Sequence, residues 1–193
     1  MNDSAPGTPA MRSDARRNYE RLLHVAQDAF ARQGVNASLT EVARRAGVGI
    51  GTLYRHFPTR EALIDAVLRE RFDRLSAKGA ELLETRSPEA ALLDWLRLVV
   101  SELTSFRGLG ASVAASLDGM SPDLADSCAG LRRTADDLLT HARVHGVVRD
   151  TVTVSDLLRF ANAIALATER SPRAADDADR MLDLLMSGLR LPA

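Results

Sequence analysis

From residue 14 onward apolar side chains recur at three- and four-residue spacing, and no run alternates strictly as a half-buried strand would. The pattern predicts an all-α chain. A first helix from about Asp14 to Gln33 carries Tyr19, Leu22, Leu23, Ala26, Ala29 and Phe30 on one stripe, with Gly34 as its stop. Ser38 to Glu41 reads as a capping box: the Ser38 hydroxyl accepts from the third helical amide, and the Glu41 carboxylate accepts from the cap amide. The second helix therefore runs from Leu39 to Ala46. Gly47 supplies a left-handed turn, Val48 fills the angle, and a third helix starts near Gly49 or Ile50 and closes at Phe57, ahead of Pro58. Thr59 caps a fourth helix that continues through Leu63, Val67, Phe72 and Leu75 toward Leu83.

Further along, Ser87-Pro88, Ser121-Pro122 and Ser171-Pro172 each pair a capping hydroxyl with a proline suited to the first helical position. Helices follow at about 88–105, 109–118, 122–145, 153–170 and 173–190, with Thr153 and Asp156 forming a second capping box. Residues 1–13, rich in Pro, Gly and Ser and without periodicity, read as a disordered tail. Residues 14–60 form a helix-turn-helix domain, with the motif itself at about 38–57, and residues 61–193 form a larger helical bundle.

Composition narrows the class. The 193 residues are 46% hydrophobic and 26% charged, an ordinary globular mixture. No window approaches the roughly 18 apolar residues of a membrane span, and the first residues lack a secretory apolar stretch, so a cytoplasmic location with no membrane partner is expected. Cys128, the single cysteine, reads as a small buried hydrophobe. The net charge of −1 conceals an asymmetry: residues 11–60 hold nine arginines against four acids, whereas residues 61–193 hold 16 basic groups against 21 acids. A basic head precedes an acidic body.

The candidate chemistry lies on the third helix. Leu53 and Phe57 face inward at i and i+4, leaving Thr52, Tyr54, Arg55 and His56 around the outer surface, where they can meet phosphate oxygens or base edges. Arg60 adds a charge at the start of the fourth helix. The string ARRAGVGIGTLYRHFPTREALIDAVL, preceded by AFARQG, resembles the DNA-binding domain of the TetR/AcrR family of bacterial regulators over roughly residues 14–68. The resemblance implies a homodimer that places two recognition helices on a palindromic operator, with a larger domain holding the dimer interface and a pocket for a small-molecule effector. It implies phosphate contacts at Gly49, Tyr54, His56 and Arg60, and base contacts at Thr40, Ile50, Gly51, Thr52 and Arg55. Gly49 departs from the serine or threonine common there, and apolar Ile50 suits a thymine methyl.

In the body, Trp95, Val99, Leu103, Phe106, Val113, Leu117, Met120, Leu131 and Leu138 are apolar residues that either line an effector pocket or fill the core. Ser116, Asn162 and Thr168 are polar groups in apolar surroundings, and a buried amide at Asn162 would need a partner or a ligand. Leu157, Phe160, Ile164, Met181, Leu185 and Leu189 belong to a dimer interface or to the core, and spacing does not separate the two. Asp137, His141 and His145 share a helix face but lack a completing ligand, so a solvated polar stripe is expected, with no metal or cofactor. Enzyme signatures are missing: the chain has no Gly-rich phosphate loop and no nucleophile elbow. The expectation is a sequence-specific transcriptional regulator, a repressor released by its effector. A regulator controlled by a protein partner is the alternative, with a small helical enzyme far behind it.

Overall fold

The first helix, α1, spans Pro9–Gln33 in the computed structural model, which describes residues 9–105 and 121–190, with side chains from residue 13. It starts five residues before the expected Asp14, so Pro9 to Ser13 are helical and not tail; proline at the leading position costs no hydrogen bond there. Leu22, Ala26 and Phe30 are fully buried beneath it. The next two helices are α2, Leu39–Arg45, and α3, Ile50–His56. Ser38 caps α2 by accepting from the Glu41 amide at 3.4 Å. The return half of the expected box is replaced: the Glu41 carboxylate takes two 2.7 Å hydrogen bonds from Arg44, which hold it below the usual carboxylate range. Between the helices Gly47 adopts φ 70°, where a side chain would be strained, and the Val48 amide donates to Ala43 O at 3.0 Å.

Helix α4 spans Arg60–Thr85, and Thr59 caps it by accepting from the Ala62 amide at 3.0 Å. The chain divides into two compact units, 1–67 and 68–193, so the boundary falls inside α4. The expected boundary after Arg60 lies two turns earlier. Leu63 and Val67, both fully buried, belong to the first unit.

The second unit is built on α5, Pro88–Ser105, which packs against α6, Pro122–Val144, α7, Val154–Thr168, and α8, Ala174–Leu189. Eight helices and no strands make up the described residues, and none of these helices is long and apolar enough to cross a membrane. The expected helix at 109–118 lies outside them. Ser121 caps α6 through the Leu124 amide at 3.2 Å. Both halves of the Thr153–Asp156 box are made, at 3.2 and 3.0 Å. The third Ser-Pro pair behaves differently: α8 starts at Ala174, and the Ser171 hydroxyl instead accepts from the Arg173 amide at 3.1 Å and bonds the Asp177 carboxylate. The core gathers Trp95, Leu92, Leu96, Leu138, Leu139, Leu157 and Leu182. Trp95 settles its one polar group by donating from Nε1 to Leu75 O at 3.1 Å. Gly79 lets α4 come close to α6, since a Cβ there would stand 2.3 Å from Thr134 Cγ2 and 3.0 Å from the Trp95 ring.

Candidate nucleic-acid interface

Helix α3 is anchored from beneath by Leu53 and Phe57, at 0% and 2% exposure, so the remaining positions of this short helix have to face outward. Ile50 is 39% exposed and Tyr54 47%, with Arg55, Gly49 and Gly51 exposed and Thr52 half-buried. Thr40, in the first turn of α2, is exposed as well. The head thus presents a phenol, a guanidinium and two hydroxyls from one helix-turn-helix. A Cβ at Gly49 or Gly51 would meet nothing within 4 Å, so packing does not demand glycine at either position. Their effect is a narrow tip with bare backbone.

Two expected phosphate contacts have other attachments. His56 is half-buried, with its ring 6.0 Å from Tyr19 of α1 in an edge-on arrangement, while Tyr19 lies 5.0 Å from Phe57. Arg60 is half-buried too, and its Nη1 donates to Val35 O at 2.8 Å and Ala37 O at 2.7 Å. These carbonyls lie in the loop between α1 and α2, where no helical amide can reach them. The Arg60 guanidinium, at the start of α4, thus braces the α1–α2 loop.

In the body the structure sorts the remaining candidates. Trp95, Val99, Leu131 and Leu138 are core residues, whereas Leu103 is 38% exposed. Phe106, Val113, Ser116, Leu117 and Met120 lie outside the described residues. Asn162 is exposed, which corrects the expectation of a buried amide: on α7 the inward positions are Ala161, Ile164 and Ala165. Thr168 is buried, and its hydroxyl is satisfied by Ile164 O of its own helix at 2.9 Å. An open cleft of about 490 Å³ between α5 and α8 is lined by Val100, Thr104, Ala178 and Leu182, with Arg97 and Asp179 at its rim. None of the expected pocket residues that the structure describes lines it. Leu157 and Ile164 are core at 0% and 5%, Met181, Leu185 and Leu189 are half-buried, and Phe160 is 46% exposed. Leu166 and Leu184, at 62% and 63%, are exposed apolar residues that spacing alone passed over. The His141 and His145 rings lie 4.5 Å apart at a tilt of 57°, with His145 Nδ1 engaged by His141 O at 2.8 Å. Asp137 is exposed, and no group of three metal-binding side chains occurs among the described residues. Cys128 is half-buried on α6.

Comparison with known proteins agrees with this division of labour. Residues 22–67 match the family of bacterial regulatory proteins of the tetR family, and residues 87–191 match the C-terminal domain of SbtR-like transcriptional regulators. The TetR transcriptional regulator SCO0520 from Streptomyces coelicolor superposes with a TM-score of 0.73 at 34% identity, covering 91% of this chain and 99% of that one. A TetR regulatory protein from Mycobacterium vanbaalenii gives 0.69 at 33% identity, covering 94% and 99%. The transcriptional repressor ComR of Escherichia coli is 28% identical over 183 residues, 89% of this chain and 87% of ComR. With a head that exposes Tyr54, Arg55 and Thr40 and a body matched over more than half the chain, this protein belongs to the TetR family of DNA-binding transcriptional regulators.

Proposed function

We propose that the protein works as a homodimeric repressor, with the α3 helices of two copies entering successive major grooves of a palindromic operator and a small molecule releasing them. The observation that carries the reading is the outer surface of α3, where Tyr54 and Arg55 are exposed and make no hydrogen bond or ion pair to another described residue. Polar groups without internal partners on a helix anchored by Leu53 and Phe57 are suited to an external one. Arg55 and Thr52 read base edges, Ile50 meets a thymine methyl, and Tyr54 and the Gly49 backbone hold phosphates. Pairing of two copies draws support from Phe160, Leu166 and Leu184, large apolar side chains left exposed on α7 and α8. The regulator operates in the cytoplasm, where its DNA lies.

Release follows from a population shift: an effector that binds better to a dimer whose heads are spaced wrongly for the operator draws the protein off DNA. Helix α4 is the covalent element common to both units, since it starts at Arg60 and runs to Thr85. Selection of bound fragments from random DNA, followed by a screen for compounds that release them, tests the reading. Recovery of a palindromic sequence supports it, and recovery of no enriched sequence contradicts it.

A further inference from the structure

The head carries a second basic surface that the α3 residues do not account for. An open cleft of about 990 Å³ lies between the N-terminal half of α1 and the α2–α3 turn, and Arg17, Asn18, Arg21, His24, Arg45 and Gly47 form much of its lining. Two acids, Asp14 and Glu20, line it as well. Compensation of the three arginines is incomplete. Arg17 is held by Asp14, but Arg21 is held, among the described residues, only by the neutral amide of Asn18. Arg45 shares the single carboxylate of Asp28 with Arg32, at 3.4 and 3.3 Å. Glu20 is already engaged by Arg16 at 2.9 Å. Ion pairs this exposed contribute little and give way readily to a stronger anion.

The position of the cleft matters as much as its charge. Ala46 and Gly47 lead directly into Gly49, the N-cap of α3, while Tyr19 of α1 packs against His56 and Phe57 at the other end of that helix. Helix α1 therefore reaches both the turn that leads into α3 and the C-terminal end of α3. A major groove about 12 Å wide leaves a phosphate strand on each flank of a helix docked within it. We infer that Arg17, Arg21 and Arg45 form a second clamp on the sugar-phosphate backbone of the duplex that α3 reads. The inference rests on the DNA-reading role of α3. The clamp adds affinity and register without adding sequence preference, because phosphate groups are the same at every base pair.

The test compares full-length wild-type protein with the triple variant Arg17→Gln, Arg21→Gln, Arg45→Gln. The probes are a duplex recovered by selection with the wild type and a scrambled duplex of equal length, titrated between 50 and 200 mM salt. The slope of log K against log salt becomes shallower by about 0.9 for each phosphate that the protein no longer neutralises, so by about two to three in the triple variant. Both duplexes bind more weakly in step, leaving the ratio between them unchanged. Asp14→Asn, which removes the acid competing for Arg17, tightens binding to both. Should the triple variant lose its thermal transition, Arg21→Gln alone carries the same test with a slope change of about one. A wild-type slope in a folded variant, or a weakening confined to the selected duplex, overturns the clamp while leaving α3 as the reader. A wild-type protein that enriches no duplex overturns both readings together.

Discussion

The guanidinium of Arg60 faces two backbone carbonyls, Val35 O and Ala37 O, in a loop that otherwise offers them no helical donor. Replacing it with alanine leaves both unsatisfied by that donor, and we expect Arg60→Ala to lower stability by about 1.5–3 kcal/mol, read from chemical denaturation. Tyr54→Ala is the contrasting case. The residue is nearly half exposed and its hydroxyl bonds no described residue, so the variant should keep its denaturation midpoint while weakening operator and scrambled DNA alike. The two arginines at positions 55 and 60 were equally basic in the sequence, and only their surroundings separate an exposed guanidinium from a brace. Tyr54 and Arg55 were legible because Leu53 and Phe57, four residues apart, fix which side of α3 is outside. The second role of Arg60 was not, because its acceptors are backbone atoms 23 and 25 residues away.

Elements start and stop largely where local chemistry dictates, and the exceptions show what local chemistry omits. The Thr153–Asp156 box was predicted from spacing and is complete, whereas Glu41 abandons its cap for Arg44, one turn along α2. Spacing identified both carboxylates but not the competing cation. In the intact box the Thr153 hydroxyl and amide hold the Asp156 carboxyl below the usual aspartate range. Its folded value lies below its unfolded one, so its contribution is present at neutral pH and disappears as pH falls through that lowered value. Asp156→Asn should therefore flatten the acid side of the stability profile, measured by denaturation at stepped pH. Close helix approach was illegible in the same way: Gly79 sits inside α4 with no turn to justify it, and only the Thr134 and Trp95 side chains show why. Gly79→Leu should cost about 1–3 kcal/mol through overpacking, and Trp95→Ala about 3–5 kcal/mol through the cavity it leaves.

At the scale of the whole molecule, a basic DNA-binding head precedes an acidic body that leaves large apolar side chains exposed on α7 and α8. Leu157 and Phe160 stand three residues apart on α7, yet one is fully buried and the other nearly half exposed. The sequence offered both as interface or core because each is apolar at helical spacing, and burial against α5 separates them. If Phe160 and Leu184 face a second copy, Leu184→Glu should convert a dimer to a monomer in light scattering at micromolar concentration without shifting helical content. A wild-type protein that scatters as a monomer would contradict the pairing. The claim on which everything else depends is that the exposed surface of α3 reads base sequence. The most direct measurement is the affinity ratio between the selected duplex and its scrambled counterpart, taken at one salt concentration for the wild type and for Arg55→Ala. The expected wild-type ratio is about 1,000 or more, with Arg55→Ala losing about 1–3 kcal/mol of discrimination at one base pair. Equal affinity of the wild type for both duplexes, or a ratio untouched by Arg55→Ala, would contradict it.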